Sequence, residues 1–367
     1  MSRNVLAYLI ILLLGISCSK DETVVVETSP PTKMYFPSTT SEEWEQTSLS
    51  ALNWETSAED DLYNYLEANG TRAFMLLKDG KIVIEKYWGT SIQGNASFTQ
   101  NSNWYWASAG KTLTAFLIGI AQENTLLNIN HTTTDYLGEG WTSLTAEKEN
   151  LIQIKHQLTM TTGLDYDVTN LDCTTPDCLQ YKADAGSQWF YHNAPYTLLG
   201  QIVETVSGQS YNQFTNEKLG AKIGMNGTWI KLGDNTVYWS TARDAARFGL
   251  LLLNKGTWEE EQILADQAYL EAMTSPSQNL NPAYGYCTWL NGQTSIVYPG
   301  LPNSFNTQLS NQAPADLYAA LGKNGQVINV VPSQGLVVVR MGEAPDNALV
   351  PVVFHDAMWE KINAIID

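Results

Sequence analysis

Apolar positions in this chain are strand-like near both ends and helix-like in between. Residues 73–77 and 82–87 are short runs rich in β-branched and apolar side chains, and Asp79-Gly80 between them predicts a hairpin. Similar runs return at 317–321, 326–331 and 336–341. Helical spacing covers 60–66, an almost wholly apolar stretch at 113–121, and 195–206, which stops at Gly208. A further helix, capped by Ser240 or Thr241, runs to Asn254-Lys255-Gly256, and 352–366 forms a closing amphipathic segment. Strands at both ends with helices between them predict an α+β fold: one antiparallel sheet drawn from both termini, flanked by helices, with an inserted, mostly helical subdomain. The expected boundaries are an α/β part at about 46–125 and 285–367 and a helical part at about 126–284.

Residues 19–45, rich in Thr, Ser, Pro and Glu, read as a flexible tether, with order beginning near Trp44 or Leu52. Ahead of them, Arg3 and the apolar run 5–14 form a secretory leader too short to span a membrane. Gly15-Ile16-Ser17-Cys18 resembles a bacterial lipobox, so 1–18 reads as a lipoprotein signal peptide with Cys18 lipidated; a plain secretory signal is the alternative. The expected location is therefore the cell envelope, with the chain held to a membrane by its lipid. In an exported protein, Cys173 and Cys178, five apart in a turn-rich loop, are expected to form a loop-closing disulfide, and Cys287 to be buried. A net charge of −18 with no basic stripe disfavours nucleic acid as a partner.

The candidate chemistry starts at Ser108-Ala109-Gly110-Lys111, where the apolar helix begins. Positions i and i+3 share a helix face, so the amine of Lys111 can reach the Ser108 hydroxyl, and a helix start favours a developing anion. The spacing is not specific, since Ser17 to Lys20 repeats it. Tyr191-His192-Asn193 is the chain's one Tyr-x-Asn and precedes a helix start. Tyr191 becomes a base only if nearby cations stabilise its phenolate, and Asn193 can hold Lys111 or a substrate amide. Lys323-Asn324-Gly325-Gln326 lies between two apolar runs. There the Gln326 N–H can face that of Ser108 as a second oxyanion donor. Gly325 can admit substrate close to the backbone, and Lys323 can bind a carboxylate or lower the Tyr191 pKa.

The ordered set Ser-x-x-Lys, Tyr-x-Asn, Lys-x-Gly, with supporting stretches at 74–89, 159–164, 196–200 and 240–249, resembles the penicillin-recognising serine hydrolases. These include class C β-lactamases, D-alanyl-D-alanine peptidases, esterases and 6-aminohexanoate-oligomer hydrolases, and the likeness spans roughly 50–367. The resemblance implies a β-lactamase/transpeptidase-like fold and an acyl-enzyme on Ser108, with Lys111 and Tyr191 sharing the proton transfers; which of the two is the base stays open. It also implies substrate binding by Asn193, Lys323, Asn324, Gly325 and Gln326, and a small ester, amide or peptide substrate. Asn324 stands where the family's third motif has Thr, which puts efficient β-lactam turnover in doubt.

No Gly-x-Ser-x-Gly elbow exists, because Trp106 occupies the required glycine position. His131, His156, His192 and His355 form no metal-ligand pair, so neither metal nor other cofactor is expected. His156 is expected to pack at a helix start and His192 to lie in an exposed loop. Trp189, Tyr286 and Trp289 are candidates for an apolar acyl pocket. The rival from another class is a catalytically silent surface lipoprotein that binds peptidoglycan fragments or a protein partner.

Overall fold

The computed structural model describes residues 34–366. The 1–18 leader, Cys18 and most of the predicted tether lie outside them.

A six-stranded antiparallel sheet runs in the order Lys81–Tyr87, Thr71–Lys78, Leu336–Gly342, Gln326–Val331, Tyr318–Gly322, Trp289–Leu290. The N-terminal hairpin thus sits directly beside the C-terminal strands, with Phe74 opposite Arg340. Strands Gln326–Val331 and Leu336–Gly342 are buried along their whole length, which explains their continuous apolar character. Alternation sends Ile328, Val330 and Tyr318 to one face, where helix Ala242–Leu253 lies and the Tyr318 hydroxyl donates to the Leu252 carbonyl at 2.9 Å. The other face carries Asn329 and Arg340 towards helix Val352–Ile366. Trp359 Nε1 donates to Asn329 Oδ1 at 3.0 Å, and Phe354 packs under the Arg340 guanidinium. The sheet is sandwiched between helices, the α+β arrangement expected from the pattern.

Three features differ from the sequence reading. Residues 34–45 are docked rather than loose. Trp44 is buried and donates to Gly80 O at 2.7 Å, Tyr35 N donates to Asp79 O, and Arg247 reaches Ser38 O at 2.8 Å. Met34, Tyr35, Phe36 and Trp44 give this strap enough apolar surface to fold back. Secondly, the 126–284 region contains a hairpin, Gly227–Leu232 with Asn235–Ser240, which Trp104–Tyr105 extends to three strands. Its turn, Gly233-Asp234, is a recognisable Gly-Asp signal flanked by Trp229-Ile230 and Val237-Tyr238-Trp239. Thirdly, helix Ala242–Leu253 covers the main sheet and so belongs to the α/β part, not to the helical one.

Candidate active site

Ser108 sits in a single turn, Ala107–Ala109, that leads into helix Gly110–Glu123. Two sheets grip this turn. On one side Trp106 N donates to Tyr238 O at 2.8 Å and Trp106 Nε1 to Ser240 Oγ at 2.9 Å. On the other, strand Tyr318–Gly322 ends against it so closely that a Cβ on Gly322 would lie 2.4 Å from Trp106 O. Ala107 adopts φ +47°, a conformation rare for a residue with a side chain, immediately before the candidate nucleophile.

Lys111 lies one helical turn on and is buried among apolar and aromatic groups, its Nζ 3.9 Å from the Tyr196 ring centroid and 5.3 Å from that of Tyr191. Burial lowers its pKa from 10.5 to about 8. Of its neighbours, Cys287 and Asp172 act the other way, so burial is the cause.

Tyr191 is fixed by its own strand-like segment and by aromatic packing. Phe190 N donates to Met160 O at 3.0 Å, and the Tyr191 ring stacks on Trp289 at 5.8 Å and meets Tyr284 edge-on at 6.2 Å. Burial raises its pKa well above 10, with the Ser108 hydroxyl acting in the opposite direction. Lys323 is not among the groups that move it. The phenol is therefore a neutral donor at physiological pH, not the phenolate that the residue pattern allowed.

Asn193 opens helix Asn193–Ser207. Its Nδ2 donates to Asp172 Oδ1 at 2.7 Å, and its Oδ1 is buried with no hydrogen-bond partner among the described residues. Asp172 immediately precedes the loop that the Cys173–Cys178 disulfide closes, and the carbonyl of Leu171 before it accepts a bond from Ala194 N at 2.9 Å.

The third motif is arranged differently from the expectation. Lys323 is the only one of its four residues among those lining the Ser108 cleft. Asn324 is left-handed, at φ +64°, and its Nδ2 donates to the Tyr105 hydroxyl at 2.7 Å. Asparagine tolerates that conformation where a β-branched Thr does not. Gly325, at φ +70°, makes room for Arg340, whose Nη1 donates to Asn324 O at 2.6 Å and Gly325 O at 3.1 Å. Gln326 turns inward, with Nε2 donating to Gly342 O at 2.7 Å and Oε1 accepting from Gly342 N at 3.0 Å. It begins the strand behind Gly322, so the backbone that abuts the Ser108 turn is Gly322–Lys323 rather than Gln326.

Ser108, Tyr191, Asn193 and Lys323 meet in one cleft of about 70 Å³, completed by Leu171, Gly300, Leu349 and Val350. These last four carry no motif. Leu171 and Gly300 fall in loops whose lengths and turns have no regular period, and Leu349 and Val350 precede the last helix. Trp189 and Trp289 do not line the cleft: they pack with Tyr191 and Tyr284 in a buried cluster, with the Trp189 and Trp289 centroids 6.3 Å apart, and Tyr286 pairs with Tyr269 instead. His192 is 3% exposed, contrary to the exposed-loop reading, and burial lowers its pKa to about 4. His156 caps a helix start, its Nδ1 accepting from Gln153 N at 3.0 Å.

A family model described as Beta-lactamase matches residues 67–348. A curated relative, an uncharacterised protein of Alkalihalophilus pseudofirmus, is 24% identical over 305 residues, which is 75% of this chain and 84% of that protein. A solved protein of Bacillus anthracis designated a 6-aminohexanoate-dimer hydrolase superposes with a TM-score of 0.64 at 20% identity, covering 82% of this chain and 81% of its own. A penicillin-binding-protein homologue from Caulobacter crescentus gives a TM-score of 0.65 at 14% identity over 84% of this chain and 96% of its own. At such identities the structural likeness speaks to the fold.

Proposed function

Because the chain belongs to the beta-lactamase family, whose hydrolase fold it shares, we propose that it is a serine acyl hydrolase that cleaves a small ester or amide through an acyl-enzyme on Ser108. The observation that carries this reading is a buried lysine, its pKa lowered to about 8, one helical turn from a serine that shares a cleft with a neutral tyrosine. At pH 7 about a tenth of the molecules hold Lys111 as a free amine, enough for a general base. Lys111 takes the Ser108 proton as Oγ attacks the carbonyl carbon. The oxyanion is held by the Ser108 N–H and by the N–H of Lys323 at the abutting strand end. Tyr191 gives its proton to the departing oxygen or nitrogen and recovers one from Lys111. Water then releases the acyl group by the reverse sequence.

The turned-away Asn324 favours esters and open-chain amides over β-lactams, since no hydroxyl stands where the family's Thr would meet the substrate carboxylate. Export is part of the same proposal: Cys18 follows a leader-like apolar run, and the Cys173–Cys178 disulfide suits an oxidising compartment. The test is hydrolysis of a short p-nitrophenyl ester by the protein lacking residues 1–18, beside Ser108→Ala. We expect turnover that the variant lowers by about a thousandfold or more. Equal rates in both proteins would sink the reading and move weight to the silent binder.

A further inference from the structure

We propose that Asp172 sets the substrate specificity of this site, by locking Asn193 as a hydrogen-bond acceptor and so selecting substrates that carry an N–H donor within a few bonds of the scissile carbonyl. This rests on the acyl-hydrolase reading above. The Asp172 Oδ1 oxygen accepts the amide NH₂ of Asn193 at 2.7 Å, the role a carboxylate oxygen takes beside an amide. The orientation of the Asn193 amide is thereby dictated by its partner. One Nδ2 hydrogen is committed to Asp172, and the carbonyl oxygen is the polar atom of Asn193 that has no partner at all among the described residues.

That oxygen is buried and has no partner among the described residues, which is costly unless something completes it. Asn193 lines the same narrow cleft as Ser108, so a substrate whose carbonyl carbon meets Ser108 has its neighbouring atoms beside Asn193. An amide N–H or an amine completes the unpaired acceptor; an ether oxygen or an N-methyl group leaves it unpaired. The loop that carries Asp172 is stiffened for this purpose, with its disulfide at the next residue, Leu171 O bonded to Ala194 N at 2.9 Å, and Asp172 N donating to Asn170 Oδ1 at 3.0 Å. Asp172 touches no reacting atom: it is a positioning residue.

The test compares the p-nitrophenyl esters of N-acetylglycine and of N-acetyl-N-methylglycine, which differ in that one hydrogen, on the disulfide-bonded protein. We expect N-methylation to lower kcat/KM by about tenfold or more in the wild type. In Asp172→Asn, where position 172 can donate and Asn193 can turn over, the ratio should fall towards one. The ratio is internal to each preparation, so partial misfolding of the variant does not move it. Equal kcat/KM for the two esters in the wild type, or a ratio unchanged by Asp172→Asn, overturns the proposal. If neither ester shows Ser108-dependent turnover, the hydrolase reading fails separately. The ratio is then read as binding of the two free acids to Ser108→Ala by calorimetry, where preference for the N–H acid sustains the role of Asp172 and equal affinity ends it.

Discussion

Lys111 carries the clearest conflict between stability and chemistry. A group whose folded pKa is lowered from 10.5 to about 8 holds fewer protons in the folded than in the unfolded chain between those values. Its burial therefore costs the fold on the order of 3 kcal/mol at every pH below about 8; the cost fades as pH rises through the window and is gone above 10.5. Lys111→Met should raise the melting temperature at pH 7 by a few degrees while abolishing ester hydrolysis, and the gain should vanish near pH 11. A variant less stable at pH 7 would contradict the assignment. The same titration gives the activity profile: kcat/KM should climb with pH and level off above about 8, with no loss from Tyr191, whose proton stays on.

At the scale of elements, the site depends on how strand ends meet the Ser108 turn. Gly322→Ala forces a Cβ to within 2.4 Å of Trp106 O, so the turn must shift. Displacement of a nucleophile by a fraction of an ångström should lower kcat about a hundredfold while the variant still unfolds cooperatively, as circular dichroism would show. The docked strap makes a separate claim. Trp44→Ala removes a buried indole and its bond to Gly80 O, and should cost about 3 kcal/mol in denaturant unfolding. A loss below about 0.5 kcal/mol would mean that the strap is loose in solution.

Most of the regular elements were legible in the chain, because the Asp79-Gly80 hairpin, the apolar 113–121 run and the C-terminal strands each follow one period. The strap was not, since its anchoring residues are scattered among Ser, Thr and Pro, and their partners Arg243 and Arg247 lie two hundred positions away. Ser108, Lys111, Tyr191 and Asn193 could be picked out by the order of three motifs and the family they resemble, not by any one spacing. The inward turn of Asn324, Gly325 and Gln326 could not, because it depends on Arg340, a residue that reads as strand surface and is wholly buried. Nor could the role of Asp172, whose bond to Asn193 crosses a loop without periodicity.

For the molecule as a whole, the excess of 38 acidic over 20 basic residues gives a net charge of −18, which disfavours association with polyanions. The membrane attachment expected from the sequence is a proposal that rests on a lipid at Cys18. Cells fed a labelled fatty acid should incorporate it into the full chain, and Cys18→Ala should release the protein from the membrane fraction; an unlabelled wild type would rule out the anchor. The sheet has a consequence for how such a protein is made. Two of its neighbouring strands, Thr71–Lys78 and Leu336–Gly342, are separated by more than 250 residues of chain. The early hairpin has no partner on its inner edge until residues 336–342 have been made. Closing so long a loop is slow, so the ladder that joins the two ends of the chain forms late. Late closure also suits the export proposed above, since a chain whose sheet is still open can thread a translocation channel.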